Sequence, residues 1–219
     1  GGYVKRVKPD VYHVQHRGGK GIIGMTTMGE DIVEHMLSAS THDSLLFFSL
    51  SGKVFRTHAY DIPEATRIAR GRALVNFLEI DANDSVTALI PIRKKEKEMG
   101  IKYLMMVTKN GIIKKTSVDD FENIRRSGLI AIKLGKGDEL RWVGETSGED
   151  EILLVTKKGK SIRFSEKDVR SMGRTAKGVR GIRLKKDDAV VALGILQSQK
   201  SKEQKHQEQI LIVAENGFG

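Results

Sequence analysis

GKVFRTHAYDI (52–62) occurs in this chain, with altered letters, four times. The other copies are GYVKRVKPDVY (2–12), GIIKKTSVDDF (111–121) and GKSIRFSEKDV (159–169). Each opens on Gly and carries a cation four residues later: Arg6, Arg56, Lys115 and Arg163. Each sets an apolar residue ten after that Gly: Tyr12, Ile62, Phe121 and Val169. The repetition extends outward. Gly21, Gly71, Gly128 and Gly178 come 19, 19, 17 and 19 residues after the opening glycines and lead into the apolar segments IIGM, RALVNF, LIAIKL and VRGIRL. Acidic turns come next, opening EDIVEHMLSAS, NDSVTALIPI, GDELRWVGET and DDAVVALGIL. A last apolar run precedes each following Gly: LLFFSLSG (45–52), YLMMVTKNG (103–111), ILLVTKKG (152–159) and ILIVAENG (210–217). A period of this size marks an array in which each unit buries its neighbours.

The unit reads as strand, turn, strand, loop, strand, acidic turn, strand. The pairs SG, NG, KG and NG between apolar runs are hairpin signals. A four-stranded unit of roughly 50 residues cannot bury both faces of its sheet alone. Packing several such sheets radially solves this, so the fold class is all-β and propeller-like. A β-sandwich ranks second because it does not account for so regular a repeat. The expected organisation is one domain, 1–219, with units of about 1–44, 45–102, 103–150, 151–208 and an incomplete 209–219. Because both ends fall inside a unit, the chain reads as part of a longer array or as a ring whose ends complete one another. The inserts RKKEKEMG (93–100) and QSQKSKEQKHQEQ (197–209) read as solvent-exposed excursions. Val107 and Leu153 are expected in the core, where an Asp would unfold a blade.

Lys and Arg number 38 against 28 Asp and Glu, for a net charge of +10 and a pI near 9.7. That excess favours a polyanionic partner. With no cysteine there is no disulfide or thiolate metal site, and a reducing compartment is expected. No apolar run approaches the ~20 residues of a membrane span, and the N-terminus lacks a signal-peptide layout. GKGIIG (19–24) contains a literal G-x-G-x-x-G, but a dinucleotide site needs a helix after it. The stretch in that place, IIGMTTMGED, is β-like. GKS (159–161) lacks the upstream Gly of a phosphate loop, since position 154 is Leu, and reads as a hairpin turn. The six histidines have no metal-ligand spacing, and no Ser sits in a nucleophile elbow. No catalytic residue and no metal ligand is therefore assigned. The carboxylates of the acidic turns read as solvated.

The cations are more informative. The loop before the third strand is basic in every unit: Arg17 and Lys20; then Arg67, Arg70 and Arg72; then Arg125 and Arg126; then Arg170, Arg174, Lys177 and Arg180. In a ring these loops share one rim and make a curved positive track, suited to the phosphates of a bent duplex. Lys5, Arg6, Arg56, Lys114, Lys115 and Arg163 are assigned to the same perimeter.

QHRGGKG (15–21) resembles the gyrase A box, and VEHMLSASTHD, GKVFRTHAYDIPEA, FENIRRSGLIAI and GRTAKGVRGIRL are similar to the domain that carries it. This is the C-terminal domain of type IIA topoisomerase A subunits, the gyrase A and topoisomerase IV A family. The resemblance runs along nearly the whole chain. It implies a β-pinwheel of about six blades that exchange strands, of which this chain is a part. It implies a non-catalytic module that wraps double-stranded DNA with a positive crossing, so that the parent gyrase introduces negative supercoils. The alternatives are a topoisomerase IV-type domain serving decatenation and relaxation, or a propeller used as a protein-interaction scaffold. Gln15, His16, Arg17, Gly18, Gly19, Lys20 and Gly21 match the box, with His16 where a cation is usual. The implied partners are DNA, the N-terminal part of the A subunit with its cleavage tyrosine, and the B subunit, in an A2B2 holoenzyme. ATP and magnesium act elsewhere in that assembly, and the domain itself uses no cofactor. The implied isolated domain is a monomer, not at a membrane, within a cytoplasmic, nucleoid-associated enzyme.

Overall fold

In the computed structural model, residues 2–9, 32–93 and 100–197 are described. Their strands are β1 (Tyr3–Val4), β2 (Ser44–Ser49), β3 (Lys53–His58), β4 (Arg72–Ala73), β5 (Val86–Ile92), β6 (Tyr103–Thr108) and β7 (Ile112–Ser117). They continue with β8 (Leu129–Ile130), β9 (Leu140–Thr146), β10 (Glu151–Thr156), β11 (Ser161–Ser165), β12 (Val179–Arg180) and β13 (Val190–Leu196). Four antiparallel sheets result. The first is β1-β4, the second β5-β2-β3-β8, the third β12-β7-β6-β9 and the fourth β11-β10-β13.

The hairpins β2–β3, β6–β7 and β10–β11 form at the expected turns. Gly52, Gly111 and Gly159 sit there at φ of 80°, 81° and 73°, a region that glycine enters freely. The turns are also tied by side chains. Asp84 accepts from the Ser51 backbone N–H (3.2 Å) and hydroxyl (2.5 Å), Asp138 from Asn110 N–H (3.0 Å), and Asp188 from Lys158 N–H (3.0 Å). Those N–H groups all belong to the residue before the unit's opening glycine. The carboxylates of the acidic turns are thus structural ties, and Asp84 is buried rather than solvated.

The sequence segments LLFF (45–48) and LMMV (104–107) are buried at every position. Polar alternation vanishes because both faces of their sheets are covered. Leu45, Phe47 and Phe55 face one cluster with Ile62 and Leu74. Leu46, Phe48 and Val54 face another, shared with Leu104, Met106, Phe121 and Ile132. Met105 and Val107 turn the other way, toward Ile152, Leu154 and Val169. Alternation returns in β10. Ile152 and Leu154 are buried there, while Leu153, expected in the core, is only half-buried on the opposite face. Short 3-10 turns at Ala59–Asp61, Val118–Phe121 and Glu166–Asp168 end each hairpin and drop Ile62, Phe121 and Val169 inward.

The third strand of the unit departs from the sequence reading. In the three described segments, 72–77, 129–134 and 179–184, only two residues are extended, and they join the preceding unit's sheet. Tyr3 faces Ala73, Val54 faces Leu129, and Ile113 faces Val179. Neighbouring sheets therefore exchange strands, as expected of a β-pinwheel. The segment then dives between sheets. Leu74, Ala131 and Gly181 donate backbone N–H bonds of 2.8 to 2.9 Å to the opening glycines Gly2, Gly52 and Gly111 of the unit before. Residues 32–40, expected to include a strand, have none. In the other sheets this segment pairs with the first hairpin strand, for which the first sheet has no counterpart among the described residues.

Candidate nucleic-acid interface

The basic loops are pressed against the sheet that receives their strand. A methyl group on Gly71 would meet the Val4 carbonyl oxygen at 2.6 Å, and one on Gly178 the Ile113 oxygen at 2.6 Å. One on Gly128 would meet the Phe55 ring at 2.7 Å. All three glycines also sit at φ of 76° to 88°. No other residue combines that backbone with that approach.

Each loop leaves cations beside the strand at the sheet's outer edge. Arg70 and Arg72 are exposed and Arg67 half-buried. The Arg70 guanidinium lies 3.9 Å from the centre of the Tyr3 ring, a cation–π contact. Arg125 and Arg126 are exposed before β8. Arg170, Lys177 and Arg180 are exposed around β12, with Arg174 half-buried. Three successive sheets thus present cations at equivalent places. A cleft between the hairpin turn at Ser51 and two acidic turns is lined by Asp81, Asp84, Asp138 and Glu139.

Five cations assigned from sequence to the perimeter are instead engaged within the joints. Lys5 is half-buried and donates to the carbonyls of Thr66 (3.3 Å), Arg67 and Ala69 (2.9 Å). Arg6 donates to Ile62 O (3.3 Å) and pairs with Glu64 at 3.7 Å. Arg56 donates to Glu122 O and to the Ser44 hydroxyl (2.8 Å). Lys114 is fully buried and donates to Ala131 O (2.7 Å) and Arg174 O. Desolvation pushes its pKa down to about 8, with Arg174 adding in the same direction and Asp120 opposing. Lys115 is also buried and donates to Glu166 O at 2.7 Å. Arg163 is exposed and pairs with Glu151.

Glu166 was not singled out from sequence. It has no exposed surface and accepts from the Thr146 hydroxyl (2.8 Å) and from the N–H groups of Gly148 (2.6 Å) and Asp150 (2.8 Å). Its carboxylate lies 3.8 Å from the Lys115 ammonium. The repeat offered a signal that was not read. At the position of Glu166 the second and third units hold Ala59 and Val118, so a carboxylate stands where its counterparts are apolar.

The box residues Gln15, His16, Arg17, Gly18, Gly19, Lys20 and Gly21 lie outside the described residues. Among the described residues, no group of three His, Asp or Glu side chains is arranged to hold a metal ion. No helix there is long and apolar enough to cross a membrane.

The profile of the family described as DNA gyrase C-terminal domain, beta-propeller, matches residues 1–40, 43–93, 102–147 and 150–197. The DNA gyrase A protein of Haloquadratum walsbyi is 44% identical over 222 residues, covering 99% of this chain and 25% of that protein. The chain thus spans about a quarter of the length of that relative. A crystal structure of the C-terminal domain of DNA topoisomerase IV is similar with a TM-score of 0.74 and 31% identity, over 90% of this chain and 59% of that one. A DNA gyrase A C-terminal domain shares the fold at a TM-score of 0.62 and 22% identity, over 88% of this chain and 61% of that one. With four successive matches along the repeats, the chain belongs to the family of DNA gyrase C-terminal β-propeller domains.

Proposed function

We propose that this chain is a non-catalytic DNA-wrapping module. It carries duplex DNA around its basic perimeter with a positive crossing, so that a parent gyrase introduces negative supercoils. The reading rests chiefly on one observation, the recurrence of exposed cations beside the outer edge strand of successive sheets. Cations that recur from one edge strand to the next suit a phosphate backbone, whose charges also recur. Nothing in that arrangement selects bases, so binding is sequence-tolerant and depends on how easily the duplex bends. The box at 15–21 adds glycine-flanked cations at the first such locus. In the holoenzyme the chain partners the B subunit and the rest of the A subunit, in an A2B2 assembly of the cytoplasm and nucleoid. The isolated chain, which carries about four and a half units, is a monomer, and the ATP and magnesium chemistry lies elsewhere in the holoenzyme.

Plasmid closed by ligase in the presence of this chain tests the proposal. Topoisomers of raised linking number are expected, together with a steep fall in affinity as salt rises. An unchanged linking number at saturating protein would refute wrapping. If salt-sensitive binding persisted without a topological change, the topoisomerase IV-type reading would take over, and the likeness to that enzyme's domain supports it. If duplex did not bind at all, a protein-interaction scaffold would remain.

A further inference from the structure

Lys5 and Lys114 occupy the same place in the first and third units, three residues after the opening glycine. The second and fourth units place Phe55 and Ile162 there. Both ammoniums reach forward into the basic loop of the following unit, and both bond the carbonyl four residues before that loop's glycine: Arg67 O before Gly71, Arg174 O before Gly178. We propose that Lys5 and Lys114 are positioning residues for the perimeter, each holding the following unit's basic loop in the conformation that leaves two cations outward beside its edge strand, Arg70 and Arg72 in one and Lys177 and Arg180 in the other.

The two braced loops share a conformation that the third does not. Ala69 N–H closes on Thr66 O at 3.1 Å and Ala176 N–H on Gly173 O at 3.1 Å, the same turn at the same distance before the glycine. The loop that rests on Phe55 closes two residues later, from Gly128 N–H to Arg125 O at 2.9 Å. Cation spacing tracks the turn. Arg67 and Arg70 stand four and one residues before Gly71, and Arg174 and Lys177 stand four and one before Gly178. Over Phe55 the cations are Arg125 and Arg126, three and two before Gly128. The sequence gives Arg17 and Lys20 the braced spacing before Gly21.

The physics is direct. A lysine ammonium offers three donors and no acceptor. Converging carbonyls satisfy it and turn their negative ends away from an approaching phosphate. Its charge also repels the arginine that supplies the shared carbonyl. Burial lowers the pKa of both lysines most, and Arg67 for Lys5 and Arg174 for Lys114 push in the same direction, so each pair feels the repulsion. A loop fixed before DNA arrives loses less freedom on binding.

The inference rests on the DNA-binding reading, and its test separates the two. Duplex affinity is measured over a salt series for this chain, for Lys5→Met, for Lys114→Met and for Lys109→Met. Lys109 pairs with Glu139 away from these loops and controls for the loss of one charge. Each phosphate contact contributes about 0.9 to the slope of log affinity against log salt. Both brace variants should flatten that slope by about 2, for two loop contacts, and so weaken binding at about 0.1 M salt by roughly 60-fold relative to about 1 M, where the affinities converge. Lys109→Met should change the slope by less than half as much. Amide exchange in 66–70 or 173–177 should quicken in the matching brace variant. Brace variants that fold, yet keep the slope and loop protection of Lys109→Met, would overturn the inference. If Lys114→Met fails to fold, Lys5→Met decides alone. If the unaltered chain shows no salt-dependent duplex binding, the DNA-binding reading fails instead. Amide exchange then decides the brace, and unchanged protection sinks it.

Discussion

The joint between the second and third sheets is closed by aromatic rings, whereas the next is closed by buried charge. In the first, Phe48 meets Phe121 edge-on with ring centres 5.9 Å apart, and Gly128 lies against Phe55. In the second, Lys115 and Glu166 are buried with their hydrogen-bond partners, while Lys114, on the opposite face of the same strand, is buried beneath the incoming loop. Both joints receive a two-residue strand at equivalent places, and both bond the opening glycine of the hairpin. One backbone plan is therefore compatible with either chemistry. What the chemistry changes is how the adjoining loop is held, by shape over Phe55 and by directed bonds over Lys114.

The comparison can be broken or sharpened by substitution. The largest effect is expected at the core shared by both designs. Val107→Asp buries an unpaired charge, and the third and fourth sheets should lose their cooperative melting transition by circular dichroism. Next come the joints. Glu166→Ala takes the counter-charge from the Lys115 ammonium and the acceptor from the Gly148 and Asp150 N–H groups, and should cost about 3–5 kcal/mol in urea unfolding. Phe121→Ala should cost a similar ~3–5 kcal/mol through its cavity. The two part company in a double variant. Glu166→Gln with Lys115→Met should recover most of the loss, whereas no polar residue added beside an alanine at 121 should. If the double variant is as unstable as Glu166→Ala, the charged joint is not a closed pair.

Smaller effects are expected at the loops and turns. Gly178→Ala forces a methyl group onto the Ile113 oxygen in a left-handed backbone. The strain alone is about 1–3 kcal/mol, and calorimetry should place its melting below that of Ser171→Ala nearby. The smallest effect is on pH response. Hydrogen bonds from Ser51 and Ser49 and from nearby N–H groups outweigh burial and hold the Asp84 carboxyl below the usual aspartate range. A depressed carboxylate stabilises fully above its unfolded value, about 4, and the benefit fades as pH falls through its native value. Asp84→Asn should flatten the acid limb of the melting curve. Lys114 acts at the other end. Its native pKa of about 8 lies below the ordinary 10.5, so between these values the unfolded chain binds more protons and stability rises with pH. Lys114→Met should remove that rise.

Much of the architecture was legible because the repeat supplies its own controls. Turn glycines, the buried residues Ile62, Phe121 and Val169, and the continuous apolar runs of double-covered sheets all emerge from comparing copies. Strand exchange was carried only by the resemblance, since a segment such as LIAIKL states that it is apolar but not which sheet receives it. The placement of Lys5 and Lys114 was misread because lysine is almost always exposed. One copy held the correction, because the buried Phe55 marks that position as inward-facing, although Ile162 is exposed there. Asp84 was misread for the same reason. Leu153 was misread because a run of apolar letters does not say that one face of its sheet is left less covered.

The donated strands bear on how the chain acquires its fold. Tyr3 pairs with Ala73, Lys53 with Ile130 and Ile113 with Val179, partners 70, 77 and 66 residues apart. Such pairings raise the contact order and slow folding. During synthesis the outer edge of each sheet stays open until the next unit has left the ribosome. An open edge invites pairing with another chain. Each of these three sheets is therefore completed by its C-terminal neighbour, so they close in the order of translation but one unit late.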